Sequence, residues 1–208
     1  MRAILRSETY QRSSVALPEN KDDTRFYARY YPRRLPAEVA LDAVAQVTRV
    51  PSEFETDVRN ENKAKGTPYP AGWRALQLPD SNTTNYFLKS FGRPAREVTC
   101  ECERTAEPSV TQALHIANGD TINTKLGAKT GVVAQALASS APIAQIIEEA
   151  YLAALARFPS EAERVRFEAL FSGAKDQRDA KDERGERRAL LEDVYWALLS
   201  SREFLFNH

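Results

Sequence analysis

The sequence has few of the residues that mark several large classes of protein. Two cysteines in 208 residues are too few for a disulfide scaffold or a structural zinc site made of cysteines alone. The 29 basic residues balance the 29 acidic ones, so we expect no nucleic-acid partner. No apolar run approaches the ~20 residues of a membrane span, and Met1–Tyr10 lacks the apolar core of a signal peptide.

Familiar catalytic motifs are also missing from the sequence. It contains no glycine-rich phosphate loop, no His-Glu-x-x-His zinc helix and no serine elbow. The haem-attachment pattern of two cysteines and a histidine does not occur either, so we expect no cofactor within this chain. What remains is a globular composition, 42% hydrophobic and 28% charged.

Helical patterns occur at both ends of the chain and are missing from its middle. Residues 1–50 and 109–208 are predicted to be helical, whereas residues 51–108 contain prolines and glycines that interrupt helical periodicity. We therefore predict one mainly α domain over residues 1–208, an irregular multi-helix fold with a long loop-rich middle. At most a short β-hairpin is expected, near Trp73, where residues 73–78 alternate like a strand.

The helix after Ser109 has clear start and stop signals. Ser109 and Gln112 have the spacing of a capping box, and Gly119 is expected to end the helix in a left-handed conformation. The apolar stripe of this helix consists of Val110, Ala113, Leu114 and Ala117.

The polar side of the same helix gives a candidate site. A histidine beside hydroxyl and amide groups can act as a general acid or base, or it can fix helix packing through a hydrogen bond. Acidic residues flank this helix in sequence and can supply the paired carboxylates of glycoside chemistry. The candidate catalytic residues are His115, Glu101 and Glu103, and the candidate binding residues here are Thr111, Asn118 and Asp120.

A second candidate is the pair Cys100 and Cys102, which point to one face if the segment is extended. Two thiolates on one side can bind a soft metal or undergo redox chemistry, although a closed zinc site needs two more ligands. The alternative is that both thiols are small buried hydrophobic groups.

A third candidate is the run from Arg25 to Arg34, in which arginines are interleaved with aromatic residues. Tyr31, Arg33 and Arg34 are candidate binding residues, because flat rings and guanidinium donors suit a polysaccharide. The alternative is that the rings fill the core and the arginines pair with carboxylates.

Several short strings, in order along the chain, resemble one family. They are SETYQ at 7–11, YPRRLPAE at 31–38, FGRP at 91–94, CECER at 100–104, QALH at 112–115, NGD at 118–120 and SREFLFNH at 201–208. They resemble the planctomycete-specific C-terminal domain that accompanies cytochrome c domains, a domain of unknown function (DUF1553). The resemblance covers essentially the whole chain.

The resemblance implies a helical C-terminal module of a longer exported protein, periplasmic or extracellular. It implies a structural or binding role in a redox or polysaccharide-handling system, with haem c only in a separate domain of full-length relatives. The implied partners are the missing N-terminal portion or a cytochrome c domain, against which residues 51–94 would pack. The alternatives are an enzyme that oxidises or hydrolyses carbohydrate through His115, and a metal or redox site at Cys100 and Cys102.

Overall fold

The computed structural model describes residues 1–23, 25–56, 66–78, 83, 85–94, 109–139, 141–173 and 180–207, and in these ranges the fold is mainly helical, as predicted. The helices are α1 (Arg2–Leu5), α2 (Ala37–Thr48), α3 (Tyr86–Ser90), α4 (Val110–Asn118), α5 (Asp120–Leu126), α6 (Val132–Ala138), α7 (Ile143–Leu155), α8 (Glu161–Gly173), α9 (Ala180–Ser200) and α10 (Arg202–Leu205). A 3₁₀ helix covers Ala75–Gln77, and two short strands are β1 (Arg33–Arg34) and β2 (Phe206–Asn207). None of the helices in the described ranges has the length and apolarity needed to cross a membrane.

The prediction of a short hairpin near Trp73 is wrong. The described residues of that segment form the 3₁₀ helix, because the buried carboxylate of Asp42 accepts hydrogen bonds from the backbone N–H groups of Ala75 at 2.7 Å and Leu76 at 3.2 Å. A carboxylate at the start of a helix satisfies donors that have no partner within the helix. The carboxylate of Asp42 on α2 therefore stabilises the 3₁₀ helix, although the two are more than thirty residues apart in sequence.

The observed strand pair joins the C-terminal residues to the segment just before α2. β1 and β2 are antiparallel, with Arg34 opposite Phe206, and the N–H of Leu35 donates to the carbonyl of Leu205 at 2.9 Å. The C-terminal residues thus dock on the segment that leads into α2, and Phe204 is buried beneath them. This contact holds the start of α2 in place.

Two apolar clusters meet along α2. Its first half contributes Ala37, Ala40 and Leu41 to the smaller cluster, and its second half contributes Val44 and Val47 to the larger one. The remaining buried members of the smaller cluster are Phe54, Ala75, Leu78, Phe87, Leu88 and Phe91. The larger cluster packs α2 against α5, α6, α7, α9 and α10, and its largest fully buried side chains are Leu126, Ile147, Leu191 and Leu199.

A buried ion pair fastens the end of the α3 segment to α2. Glu38 and Arg93 approach to 3.6 Å, and each side chain is less than a tenth exposed. Glu38 lies one helical turn before Asp42, so a single face of α2 presents two carboxylates to the middle of the chain. The loop-rich middle is therefore attached to α2 by charged groups as well as by the smaller apolar cluster.

Candidate functional site

The His115 cluster consists of His115 and four side chains from α3, its end and α5. The imidazole centroid lies 5.1 Å from the ring of Tyr86 and 5.6 Å from that of Phe87, and Phe91 stacks on Phe87 at 4.1 Å. The imidazole Nε2 and the hydroxyl oxygen of Thr121 are 2.9 Å apart. The histidine is thus half-buried, with aromatic rings on one side and a hydroxyl on the other.

Burial lowers the pKa of His115 below its usual 6.5, and the charge of Asp120 opposes this shift only in part. The imidazole is therefore mainly neutral at pH 7, with one ring nitrogen as donor and the other as acceptor. Within the described ranges, its side-chain hydrogen bond is to a hydroxyl and not to a carboxylate. This arrangement resembles a packing histidine more than an acid–base pair.

Gly119 ends α4, but not in the left-handed conformation that we expected. Its backbone is extended, with φ −76° and ψ 152°. A Cβ atom here would lie 2.1 Å from the carbonyl oxygen of His115 and 2.7 Å from its Nδ1. Glycine suits this position because the carbonyl and the imidazole of His115 approach its Cα too closely for a side chain, although its φ is not positive.

Helix α4 exposes its apolar stripe. Val110 is 76% and Leu114 is 58% accessible, and Ala113 and Ala117 are exposed as well. The side that packs inward carries Gln112, His115 and Ile116. Of the candidate binding residues on or next to this helix, Thr111, Asn118 and Asp120 are exposed.

Gln112 explains how a polar side of α4 can face inward. Its amide nitrogen donates to the carbonyl of Ser90 at 2.9 Å, and its amide oxygen accepts from the N–H of Ser109 at 3.3 Å, completing the predicted capping box. The same oxygen accepts from the guanidinium of Arg34, which also donates to the carbonyl of Phe91 at 3.2 Å. Each polar atom of Gln112 has a partner, so its burial does not carry the cost of unsatisfied groups.

Arg34 is therefore held by the fold, and burial lowers the pKa of its guanidinium below the ordinary value for arginine. Arg33 has an exposed side chain, while its N–H donates to the side-chain oxygen of Asn207 at 3.0 Å. The hydroxyl of Tyr31 donates to the carbonyl of Asp23, and the guanidinium of Arg29 lies 4.8 Å above the Tyr31 ring. The structure brings none of these three candidates into contact with His115.

The remaining candidates lie outside the described residues. They are Cys100 and Cys102, the proposed metal or redox pair, and Glu101 and Glu103, the proposed carboxylates. Elsewhere in the described ranges, no group of three or more His, Cys, Asp and Glu side chains is arranged to hold a metal ion.

Sequence reasoning did not identify the partners of His115. Thr121 follows it by six residues across a helix corner, and the aromatic partners come from a segment more than twenty residues upstream. The one usable signal was the capping box, because it fixed Gln112 at the start of the same helix.

Comparison with known families gives one result over most of the chain. Residues 1–171 match the family described as PSD1, protein of unknown function (DUF1553), which agrees with the resemblance noted from the sequence. Neither a curated protein nor a solved structure matches the chain.

Proposed function

We propose that this chain, which belongs to the PSD1 (DUF1553) family, is a structural and binding module of a longer exported protein. In this proposal the longer protein carries a cytochrome c domain and serves a redox or polysaccharide-handling system, as the resemblance implies. The observation that supports a binding role is the outward apolar stripe of α4. This stripe consists of Val110, Ala113, Leu114 and Ala117.

The stripe has the pattern of a helix that packs in a groove. Its members recur at positions i, i+3, i+4 and i+7, so they form one continuous line along the helix. Covering a Val or Leu side chain is worth about 1.5–3 kcal/mol, and Val110 and Leu114 are both mostly exposed. A partner that covered the stripe would gain this energy without having to reorganise the helix.

The fold gives α4 no easy way to turn the stripe inward. Its inner side is fixed by the hydrogen bonds of Gln112, by the contact of His115 with Thr121 and by the packing of Ile116. Rotating the helix would break these contacts, together with the hydrogen bond from Arg34 to Gln112. The outward stripe is therefore open to a partner, and we propose that this partner is the upstream portion of the same polypeptide.

The catalytic alternative has less support from the geometry. His115 is packed against Phe87 and shares its hydrogen bond with Thr121, and two clefts in the described part of the chain are lined by other residues. The metal or redox site at Cys100 and Cys102 stays a prediction from the sequence.

The docking proposal is tested with the two halves of the polypeptide as separate proteins. The coding region upstream of this chain is expressed with its cytochrome c domain, and its affinity for this chain is measured by calorimetry. We expect the double variant Val110→Ser and Leu114→Ser to bind about 10- to 100-fold more weakly, since two anchor side chains are lost.

The matched control is Leu170→Ser on α8, which removes a similarly exposed leucine from a different helix and should leave the affinity unchanged. Circular dichroism of each variant establishes that the helices persist. Two folded halves that do not associate, or an affinity that the double variant leaves intact, would contradict the proposal.

A further inference from the structure

A cleft of about 400 Å³ lies between α5 and α9 and shares no lining residue with the His115 cluster. Its walls are formed by Asn123, Leu126, Glu192, Asp193 and Trp196. Leu126 is fully buried in the larger apolar cluster, and Trp196 packs against the same cluster. The volume is within the range of small-ligand sites in proteins, ~300–1,000 Å³.

One wall of the cleft is fixed in place. The guanidinium of Arg188 donates through Nε to the carboxylate of Glu192 at 2.7 Å and through Nη2 to the carbonyl of Gly127 at 2.8 Å. Gly127 is the residue that ends α5, so this arginine joins the two helices that form the cleft. The carboxylate of Glu192 is thereby oriented before any ligand arrives.

Asp193 differs from its neighbour Glu192. It is exposed, and it makes no hydrogen bond or ion pair with the part of the chain that the structure describes. Because Arg188 balances Glu192, the charge of Asp193 is the unbalanced charge among these three groups. The cleft therefore combines an indole, a net negative charge and an excess of hydrogen-bond acceptors.

We propose that this cleft binds an organic cation with an ammonium or guanidinium group. Such groups are donors with no acceptor, which complements carboxylates that only accept. They are also attracted to the face of an indole, the strongest of the aromatic rings in this respect. The volume far exceeds that of a bare metal ion, and a sugar would need a more even set of donors and acceptors than this lining offers.

The test uses the fluorescence of Trp196. The chain has two tryptophans, so Trp73→Phe leaves Trp196 as the single reporter. Spermidine represents a free amine, and a blocked Gly-Lys-Gly peptide represents a side chain of another protein. We expect saturable quenching by one or both, weakened at high salt because the interaction is electrostatic. The probe that binds more tightly identifies the source of the cation.

Two variants make the test specific. Asp193→Asn should weaken binding about tenfold, as expected when the single unbalanced charge beside a cation is removed. Glu8→Gln makes the same change in net charge on an exposed residue of the N-terminal segment and should have no effect. The α4 variants Val110→Ser and Leu114→Ser should also bind the cation normally, so this proposal and the docking proposal can fail separately.

Three outcomes would overturn the inference. They are the absence of saturable quenching by either cation, equal affinity in Asp193→Asn, and equal quenching by a neutral probe. The neutral probes are the same peptide with its lysine acetylated and a disaccharide.

Discussion

Lys125 is a buried lysine at the junction of α5 with the segment after α2. The residue is 7% exposed, and its Nζ donates to the carbonyls of Val50 at 2.7 Å and Pro51 at 2.8 Å. Burial lowers its pKa from 10.5 to about 8, and the charge of Glu53 offsets only part of this effect. The free energy of unfolding should therefore change with pH between about 8 and 10.5, the range in which Lys125 loses its proton in the folded state before it does so in the unfolded chain.

The direction of this pH dependence is set by the protons that each state binds. The unfolded chain keeps the ordinary pKa of 10.5, so between pH 8 and 10.5 it binds more protons than the folded chain, and stability rises with pH. Below pH 8 both states are protonated, and the cost of burying the charge is fully present. At ~1.4 kcal/mol per pH unit, this cost is about 3 kcal/mol.

The variant Lys125→Met removes the titration while keeping an unbranched side chain. The free energy of unfolding is measured by urea denaturation at several pH values for both proteins. We expect the wild type to gain ~2 kcal/mol relative to the variant between about pH 7 and about pH 9.5. Tyr151 and Tyr195, whose pKa values burial raises to about 12, titrate equally in both proteins and cancel.

At pH 7 two effects of this substitution oppose each other. The carbonyls of Val50 and Pro51 lose a donor, at a cost of about 1–3 kcal/mol, while the burial of a charge is relieved. The discriminating quantity is therefore the slope with pH. The control is Lys129→Met, an exposed lysine four residues later, whose curve should parallel that of the wild type. Parallel curves for Lys125→Met as well would refute the reasoning.

Two further predictions concern helix junctions. Gly119→Ala should destabilise the fold by about 2–4 kcal/mol, because the new Cβ would clash with the backbone of His115. In the control Gly185→Ala, the new Cβ has no atom within 4 Å, so the Tm should stay unchanged or rise. Equal Tm values for the two variants would contradict this prediction. Hydrogen bonds from Arg157 lower the pKa of Glu163 to about 2, so the stabilisation is present above pH 4.5 and is lost as the pH falls towards 2. Arg157→Met should flatten acid unfolding followed by circular dichroism in that window, and an unchanged acid transition would count against the ion pair.

The helical class and the start of α4 could be predicted from local signals. The capping box at Ser109 and Gln112 is a contact between residues three apart, and apolar spacing defines α7 without any knowledge of its neighbours. The strand expected near Trp73 failed for the opposite reason. Its conformation is set by Asp42, which is 33 residues away from Ala75, and no local pattern indicates such a contact.

The candidate site was harder to predict than the fold, because its residues act through distant partners. Arg34 and Gln112 were assigned as a binding residue and a cap, and their mutual hydrogen bond across 78 residues makes both part of the interior. Glu38 and Arg93 form a buried pair in the same way. Sequence patterns identify residue types suited to a task, but they do not show which partners satisfy them.

The orientation of α4 connects this limit to the proposed function. Periodicity located the stripe that begins at Val110, but the general inference that an apolar stripe faces its own core does not hold for α4. That inference fails when the polar side is fully hydrogen-bonded within the fold, as Gln112 is, because its burial then has little cost. A helix whose hydrogen-bonded polar side faces inward leaves its apolar side in contact with water, which costs free energy. The docking partner proposed above would cover that surface, so the proposed binding role would give this orientation of α4 a physical reason.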